Sequence, residues 1–140
     1  MRIGDAAGKA GLTPRALRYY EEQGLVAARR TPSGHRVYGP DEVRRLRTVR
    51  ELLEAGLTVS DLRTLAPLLD AMPGHDAPGL LRDRGPGPQR TVEHVARRRL
   101  DDLDARIERL VQLRERLAAQ LGAPARAPGR VAPYEGTLRE

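Results

Sequence analysis

Apolar residues recur along this chain at spacings of three and four that stop at glycines, so its first half reads as a row of short helices. The stretch "IGDAAGKA", Ile3 to Ala10, predicts a helix whose Ala6, Ala7 and Ala10 let a neighbouring helix approach closely, with Gly11 ending it. Thr13 is a good N-cap and Pro14 suits the first helical position, where its missing N–H costs nothing. A second helix is therefore predicted to about Gln23, with Gly24 free to take the left-handed closing conformation. Leu17, three residues from both Pro14 and Tyr20, marks its buried side, and Arg15, Arg18 and Tyr19 point elsewhere. Two short helices joined by a tight turn make a helix-turn-helix.

The pattern then alternates. Val26 to Arg30 and His35 to Tyr38 are predicted to pair as strands around the turn "TPSG", forming a small wing that carries Arg29, Arg30, His35 and Arg36. Pro40 with Asp41 and Glu42 marks a third helix to about Ala55, with the apolar stripe Val43, Leu46, Val49, Leu52 and Leu53, stopped by Gly56. Thr58 and Asp61 resemble a capping box for a fourth helix with Leu62, Leu65 and Leu69 inward, and Pro67 predicts a kink or an early end there. Residues 73–90 contain four prolines and four glycines and read as a flexible linker. From Thr91 to Leu121 the residues Leu100, Leu103, Ile107, Leu110, Leu117 and Leu121 step by three and four with charges between, the seam of a coiled coil, interrupted at Arg114. The tail from residue 122, rich in Ala, Pro and Gly, is expected to be disordered. The expected division is thus 1–72 as a head, 73–90 as linker, 91–121 as a dimerisation helix and 122–140 as tail.

At 140 residues the chain has room for one small domain and an appendage. No apolar run approaches the roughly 20 residues of a membrane helix, so a soluble, cytoplasmic protein is expected. Its formal net charge of +6 lies unevenly: residues 1–50 hold 11 Lys and Arg against 5 Asp and Glu, whereas residues 51–140 hold 14 of each. A basic patch localised in this way points to a polyanionic partner, because each neutralised phosphate releases a condensed counterion.

The stretches "IGDAAGKAGLTPRALRYYEEQGLV" and "RTPSGHRVYGPDEVRRLRTVRELLEAGLTVSDL" resemble the winged helix-turn-helix of the mercury-resistance-regulator (MerR) family over about residues 1–70, and the helix at 91–121 is similar to that family's dimerisation helix. The resemblance implies a mainly α fold with a two-stranded wing, and a homodimer whose long helices pair antiparallel. It implies a transcriptional regulator that bends and untwists promoter DNA to realign the elements read by RNA polymerase. It implies DNA contacts from Arg15, Arg18 and Tyr19, with Tyr20 close behind, and a grip on flanking phosphates by Arg36 and Tyr38 with Arg29, Arg30 and His35. The residue types suit those roles: arginine binds phosphate or guanine bidentately, and tyrosine offers a hydroxyl to phosphate and a ring edge to a thymine methyl. Tyr20 also shares the face of Leu17 and fits the core as well.

The chain departs from metal- and redox-sensing relatives in having no cysteine, which excludes thiolate metal sites and iron-sulfur clusters. His75, Asp76, Glu93 and His94 are the only candidate ligands near the corresponding region and read as scattered surface residues, so no metal and no cofactor is expected. No nucleophile-base arrangement or phosphate-cradling loop stands in a supporting context, and no enzymatic activity is expected. A small-molecule effector of unknown identity would act at the junction of Pro67 and residues 73–90. An architectural or recombination-accessory DNA-binding protein is the alternative function, and a coiled-coil adaptor binding protein alone is disfavoured by the basic first 50 residues.

Overall fold

The computed structural model describes residues 1–71, 76–82 and 87–122. Six helices and one hairpin follow in order: α1 (Ile3–Ala10), α2 (Pro14–Glu22), β1 (Arg29–Arg30), β2 (Arg36–Val37), α3 (Pro40–Glu54), α4 (Val59–Ala71), α5 (Ala77–Arg82) and α6 (Pro88–Leu121). The chain divides into two compact units, residues 1–99 and 100–140. His75, part of the expected linker and the tail from residue 123 lie outside the described residues.

The local signals decide the helix ends. The Thr13 hydroxyl accepts from the Ala16 N–H at 3.1 Å, and Pro14 opens α2. At α4, the Thr58 N–H donates to Asp61 Oδ2 at 2.8 Å and the Asp61 N–H donates back to Thr58 Oγ1 at 3.1 Å, so the capping box forms with aspartate in the usual glutamate position. The Gly39 N–H donates to Glu42 Oε2 at 2.7 Å at the start of α3. Three helices close through a glycine-leucine pair. At α1, the Gly11 N–H donates to Gly8 O and the Leu12 N–H to Ala7 O, and the same two-bond pattern recurs at Gly24-Leu25 and Gly56-Leu57. Each closure turns the chain and delivers a leucine inward, with Leu25 and Leu57 buried.

Two apolar clusters fill the first unit. One joins Ala6, Ala7 and Ala10 of α1 to Leu17, Val26, Tyr38, Val43 and Leu46. The other joins Val49 and Leu52 of α3 to Leu62, Leu65 and Leu69 of α4, Ala77 and Leu80 of α5, and Val92 and Val95 of α6. Helix α3 supplies both, and half-buried Tyr20 packs against both. Leu53, expected in the stripe, is only partly buried at its edge.

Four expectations from the pattern change. The wing strands are two residues each, paired antiparallel with Arg29 opposite Val37 and Arg30 opposite Arg36, because Leu25 and Val26 turn into the two clusters and Tyr38 pairs its N–H with Met1 O. Helix α4 does not end at Pro67. It continues to Ala71, since Leu62, Leu65 and Leu69 are buried on both sides of the proline and offset the roughly 3 kcal/mol that an interior proline costs. The segment expected as linker contains α5, whose Ala77 and Leu80 are buried, and the long helix starts at Pro88 and packs Val92 and Val95 into the same cluster. The head therefore extends to Arg99, beyond the expected boundary at residue 72.

Gly11 carries a double constraint: its φ is +70°, and a Cβ built on it would collide with the Arg50 guanidinium. Gly24, at φ +75°, has open space around it. Gly11→Ala is expected to cost the roughly 1–3 kcal/mol of a left-handed non-glycine residue plus the Arg50 hydrogen bond to Ala10 O that its methyl displaces, and Gly24→Ala only the former. Urea unfolding of the two variants side by side checks the order.

Candidate nucleic-acid interface

Helix α2 presents Arg15, Arg18 and Tyr19 outward at spacings of three and four, while Leu17 on the opposite side is fully buried. Tyr19 is 45% exposed, a large apolar ring left facing solvent, and its ring lies 5.8 Å from that of Tyr20. Tyr20 itself is half-buried and packs against both clusters, so it supports the exposed face from behind. Burial pushes its phenol pKa up, with Tyr19 adding to the effect.

Beside α2 a groove of about 310 Å³ is lined by Arg2, Ile3, Arg18, Gly34, His35 and Arg36. Three segments meet here: the residues before α1, the middle of α2 and the wing. Three guanidiniums and an imidazole face one concavity without a carboxylate in its lining, and such a wall concentrates positive potential. Arg2 was not singled out by the sequence pattern. It stands before the first helix with no motif around it, and two bonds between Met1 and Tyr38, one in each direction, bring it beside the wing.

Ion pairs to the helices orient the arginines of the wing. Arg36 Nε lies 3.1 Å from Glu21 Oε2, and Arg29 Nε lies 3.3 Å from Glu42 Oε1. Arg30 Nη1 donates to Gly34 O at 3.3 Å within the turn. The turn is closed further by the His35 N–H donating to Thr31 Oγ1 at 3.1 Å, which leaves the His35 ring exposed. The acids leave their arginines largely in water, the Arg29 side chain being 71% exposed and that of Arg36 44%. Such pairs contribute little stability. They restrict where the guanidiniums can point.

Tyr38 is not where the sequence places it. Its ring is buried in the α1-α2-α3 cluster, because with strands this short the residue after β2 turns inward, and only its hydroxyl reaches the rim to donate to Glu21 Oε2 at 3.4 Å. Burial raises the Tyr38 pKa, Glu21 adds to this, and Arg36 and Arg18 pull it back. Tyr38 therefore anchors Glu21, and through it Arg36.

Several arginines of residues 1–50 are engaged with carbonyls or carboxylates of the chain. Arg47 donates through Nε and Nη2 to Lys9 O at 3.0 and 2.9 Å, and Arg50 Nη1 donates to Ala10 O at 3.2 Å, so both cap the carboxyl end of α1. Arg45 donates to Leu25 O and Ala66 O, both at 3.0 Å, and pairs with Asp70 at 3.2 Å. Burial draws the Arg45 pKa down and Asp70 draws it back up. Arg44 pairs with Asp41. A count of charges along the sequence cannot separate arginines that bond the chain's own carbonyls and carboxylates from the cations of α2 and the wing.

A second groove, of about 690 Å³, lies between α3, the end of α4 and the segment from Gly24 to Ala28. Its arginines, Arg44, Arg45 and Arg47, are each engaged with a carboxylate or carbonyl of the chain. Among the described residues no group of three or more His, Asp or Glu is placed to hold a metal ion, and no helix is long and apolar enough to cross a membrane.

Residues 1–69 match the family described as MerR HTH family regulatory protein. The HTH-type transcriptional regulator HmrR of Rhizobium leguminosarum bv. viciae is 30% identical over 117 residues, which span 84% of this chain and 81% of that one. The nodulation protein NolA of Bradyrhizobium sp. (strain NC92) is 32% identical over 117 residues, but the match spans only 41% of its length. Among solved structures, the transcription regulator PbrR691 of Ralstonia metallidurans CH34, in complex with lead(II), shares the fold with a TM-score of 0.66 at 23% identity, the match covering 91% of each chain.

Because Tyr20 and Tyr38 both favour the neutral phenol in the folded protein, the stability they confer is complete below the ordinary phenol pKa of 10.0 and is lost as pH rises through their folded values. Alkaline unfolding followed by circular dichroism should therefore begin above about pH 10. Tyr38→Phe should flatten that limb of the stability curve.

Proposed function

Because the chain belongs to the MerR HTH family of regulatory proteins, we propose that it is a sequence-specific transcriptional regulator that binds promoter DNA as a homodimer and acts by binding, without catalysis, in the cytoplasm. The observation that carries the reading is the convergence of Arg2, Arg18, His35 and Arg36 on one groove beside the outward face of α2. Arg15 and Arg18 project from the exposed side of a short helix that can enter a major groove, where arginine reads guanine or holds phosphate. Tyr19 adds a hydroxyl for phosphate and a ring for a thymine methyl. Arg2, Arg30, His35 and Arg36 take flanking phosphates, with Arg29 further along the wing.

The dimer reading rests on α6. Leu100, Ile107, Leu110, Leu117 and Leu121 are exposed on one seam, with Leu103 half-buried between them. Charge favours an antiparallel pair. Residues 100–110 hold four acids, Asp101, Asp102, Asp104 and Glu108, against Arg106 and Arg109, whereas residues 111–121 hold Arg114 and Arg116 against Glu115. Antiparallel helices set the acidic half of each against the basic half of its partner, and parallel ones set like against like.

With two heads held on one duplex, bending and untwisting the site to realign it for RNA polymerase costs on the order of 1–10 kcal/mol, which the backbone contacts of a second head can offset. PbrR691 was solved with lead(II), but a soft ion of that kind favours thiolates, and this chain has no cysteine. An effector of this chain therefore acts without thiolate ligands from it. In vitro transcription with purified protein and polymerase separates the cases: full activation without added compound shows that none is required, and repression relieved by a cell extract shows that one exists.

Two results would test the reading directly. With four phosphate contacts per head, log affinity for the operator should fall against log salt with a slope of about −7 at roughly −0.9 per phosphate. A flat response removes the DNA reading. Arg18→Ala should cost about 1–3 kcal/mol per head, roughly ten- to hundredfold, with an unchanged unfolding midpoint because the side chain is exposed. Separately, Leu103→Lys with Leu110→Lys should give monomers by light scattering whose heads bind DNA far more weakly, since one head lacks the effective concentration of two.

A further inference from the structure

We infer that Arg114 is the residue that sets the register of the α6 pair, by an ion pair with Asp104 of the partner subunit, and so fixes the spacing of the two heads; the inference rests on the homodimer proposed above. Arg114 occupies a seam position, in line with Leu100, Ile107 and Leu121, where an apolar side chain is expected. Among the described residues of its own chain its only partner is the adjacent Glu115, 3.6 Å away, and its side chain is 47% exposed. Asp104 is exposed and makes no ion pair or hydrogen bond within the chain among the described residues.

Two antiparallel registers fill the seam equally well by apolar count. In the first, Leu100 opposes the partner's Leu117, Ile107 opposes the partner's Leu110, and Arg114 opposes the partner's Leu103 with the partner's Asp104 beside it. In the second, the helices slide by one heptad, so that Ile107 opposes the partner's Leu117 and Arg114 opposes the partner's Leu110. There its neighbour is the partner's Val111, and the two copies of Arg114 stand only about 6 Å apart along the axis, at 1.5 Å per residue. A guanidinium removed from water requires a paired carboxylate, and like charges at close range repel. The first register supplies the carboxylate and separates the two arginines by about 16 Å along the axis. The parallel arrangement sets Arg114 against Arg114 and Asp104 against Asp104. A polar residue at one seam position is a known way to fix register at some cost in stability. The slide between registers moves one head past the other by about 10 Å, equivalent to about three base pairs at 3.4 Å each. Arg114 thus acts as the spacer that matches the dimer to its half-sites.

The absence of cysteine makes a clean test on the full chain, because every disulfide formed joins introduced residues, and only Cα atoms closer than about 7 Å can be bridged. Oxidising a mixture of Leu117→Cys and Leu100→Cys chains should give a covalent heterodimer. Leu117→Cys with Ile107→Cys should give roughly tenfold less or none, given the cost of an unpaired buried charge. Leu117→Cys alone should give no covalent dimer. In an Arg114→Leu background both mixtures should cross-link to within about twofold of each other, the selecting charge having gone. A dominant 107-117 product in the original chain, or selectivity that persists in Arg114→Leu, overturns the inference and leaves the dimer standing. Cross-linking of Leu117→Cys with itself makes the pair parallel and overturns it as well. A monomer by light scattering in the unsubstituted chain overturns the dimer reading itself, with no selective product in any mixture.

Discussion

Helix α3 has to satisfy both clusters of the head at once. Its Val43 and Leu46 complete the cluster of α1, α2 and the wing, and its Val49 and Leu52 complete the cluster of α4, α5 and the start of α6. The rows between these residues carry Arg45, Arg47 and Arg50, which reach the carbonyls of Lys9, Ala10, Leu25 and Ala66. One helix therefore ties the end of α1, the body of α4 and the segment leaving α2 to itself through side-chain hydrogen bonds. The exposed side of α2 can be polar and cationic because none of it is needed to hold the head together.

The same logic explains how a wing only two residues deep stays in place. Its strands are too short for cross-strand pairing to suffice, and an isolated two-stranded hairpin is marginal in water. Tyr38 anchors one end in the core, and Glu21 and Glu42 hold Arg36 and Arg29 from the adjoining helices. Glu21 sits on α2 itself, so the wing cation and the helix cations keep a fixed relation. A carboxylate beside a guanidinium also restricts where that side chain can point, and long cationic side chains carry up to about 2 kcal/mol of rotamer entropy.

What the sequence makes legible is what is decided locally. Thr13 with Pro14, Thr58 with Asp61 and the glycine-leucine closures each act through bonds spanning a few residues, and the helix starts and stops at these places follow the pattern closely. The outward triad Arg15, Arg18 and Tyr19 follows from the same periodicity once Leu17 is placed inside. What stays hidden is decided at a distance. Tyr38 looks like a wing residue until the shortness of β2 turns it inward, and Arg2 has no local sign of its place beside His35 and Arg36. Arg45, Arg47 and Arg50 spend hydrogen bonds on carbonyls of the chain, which composition cannot show. Residues 76–82 read as linker from their prolines and glycines, yet Ala77 and Leu80 are enough to seat a short helix once α4 and α6 offer a surface.

Helix α6 marks where the chain stops being sufficient to itself. Up to Arg99, whose Nε donates to Gly56 O at 2.8 Å, each of its buried residues has a partner inside the head. After Arg99 the same helical spacing continues with larger apolar side chains, and they are exposed: Ile107 at 58% and Leu110 at 65%. Contiguous exposed apolar side chains of this kind are uncommon on a chain that acts alone. Nothing in its sequence weakens the pattern at Leu100, so the change of environment is imposed by where the head ends.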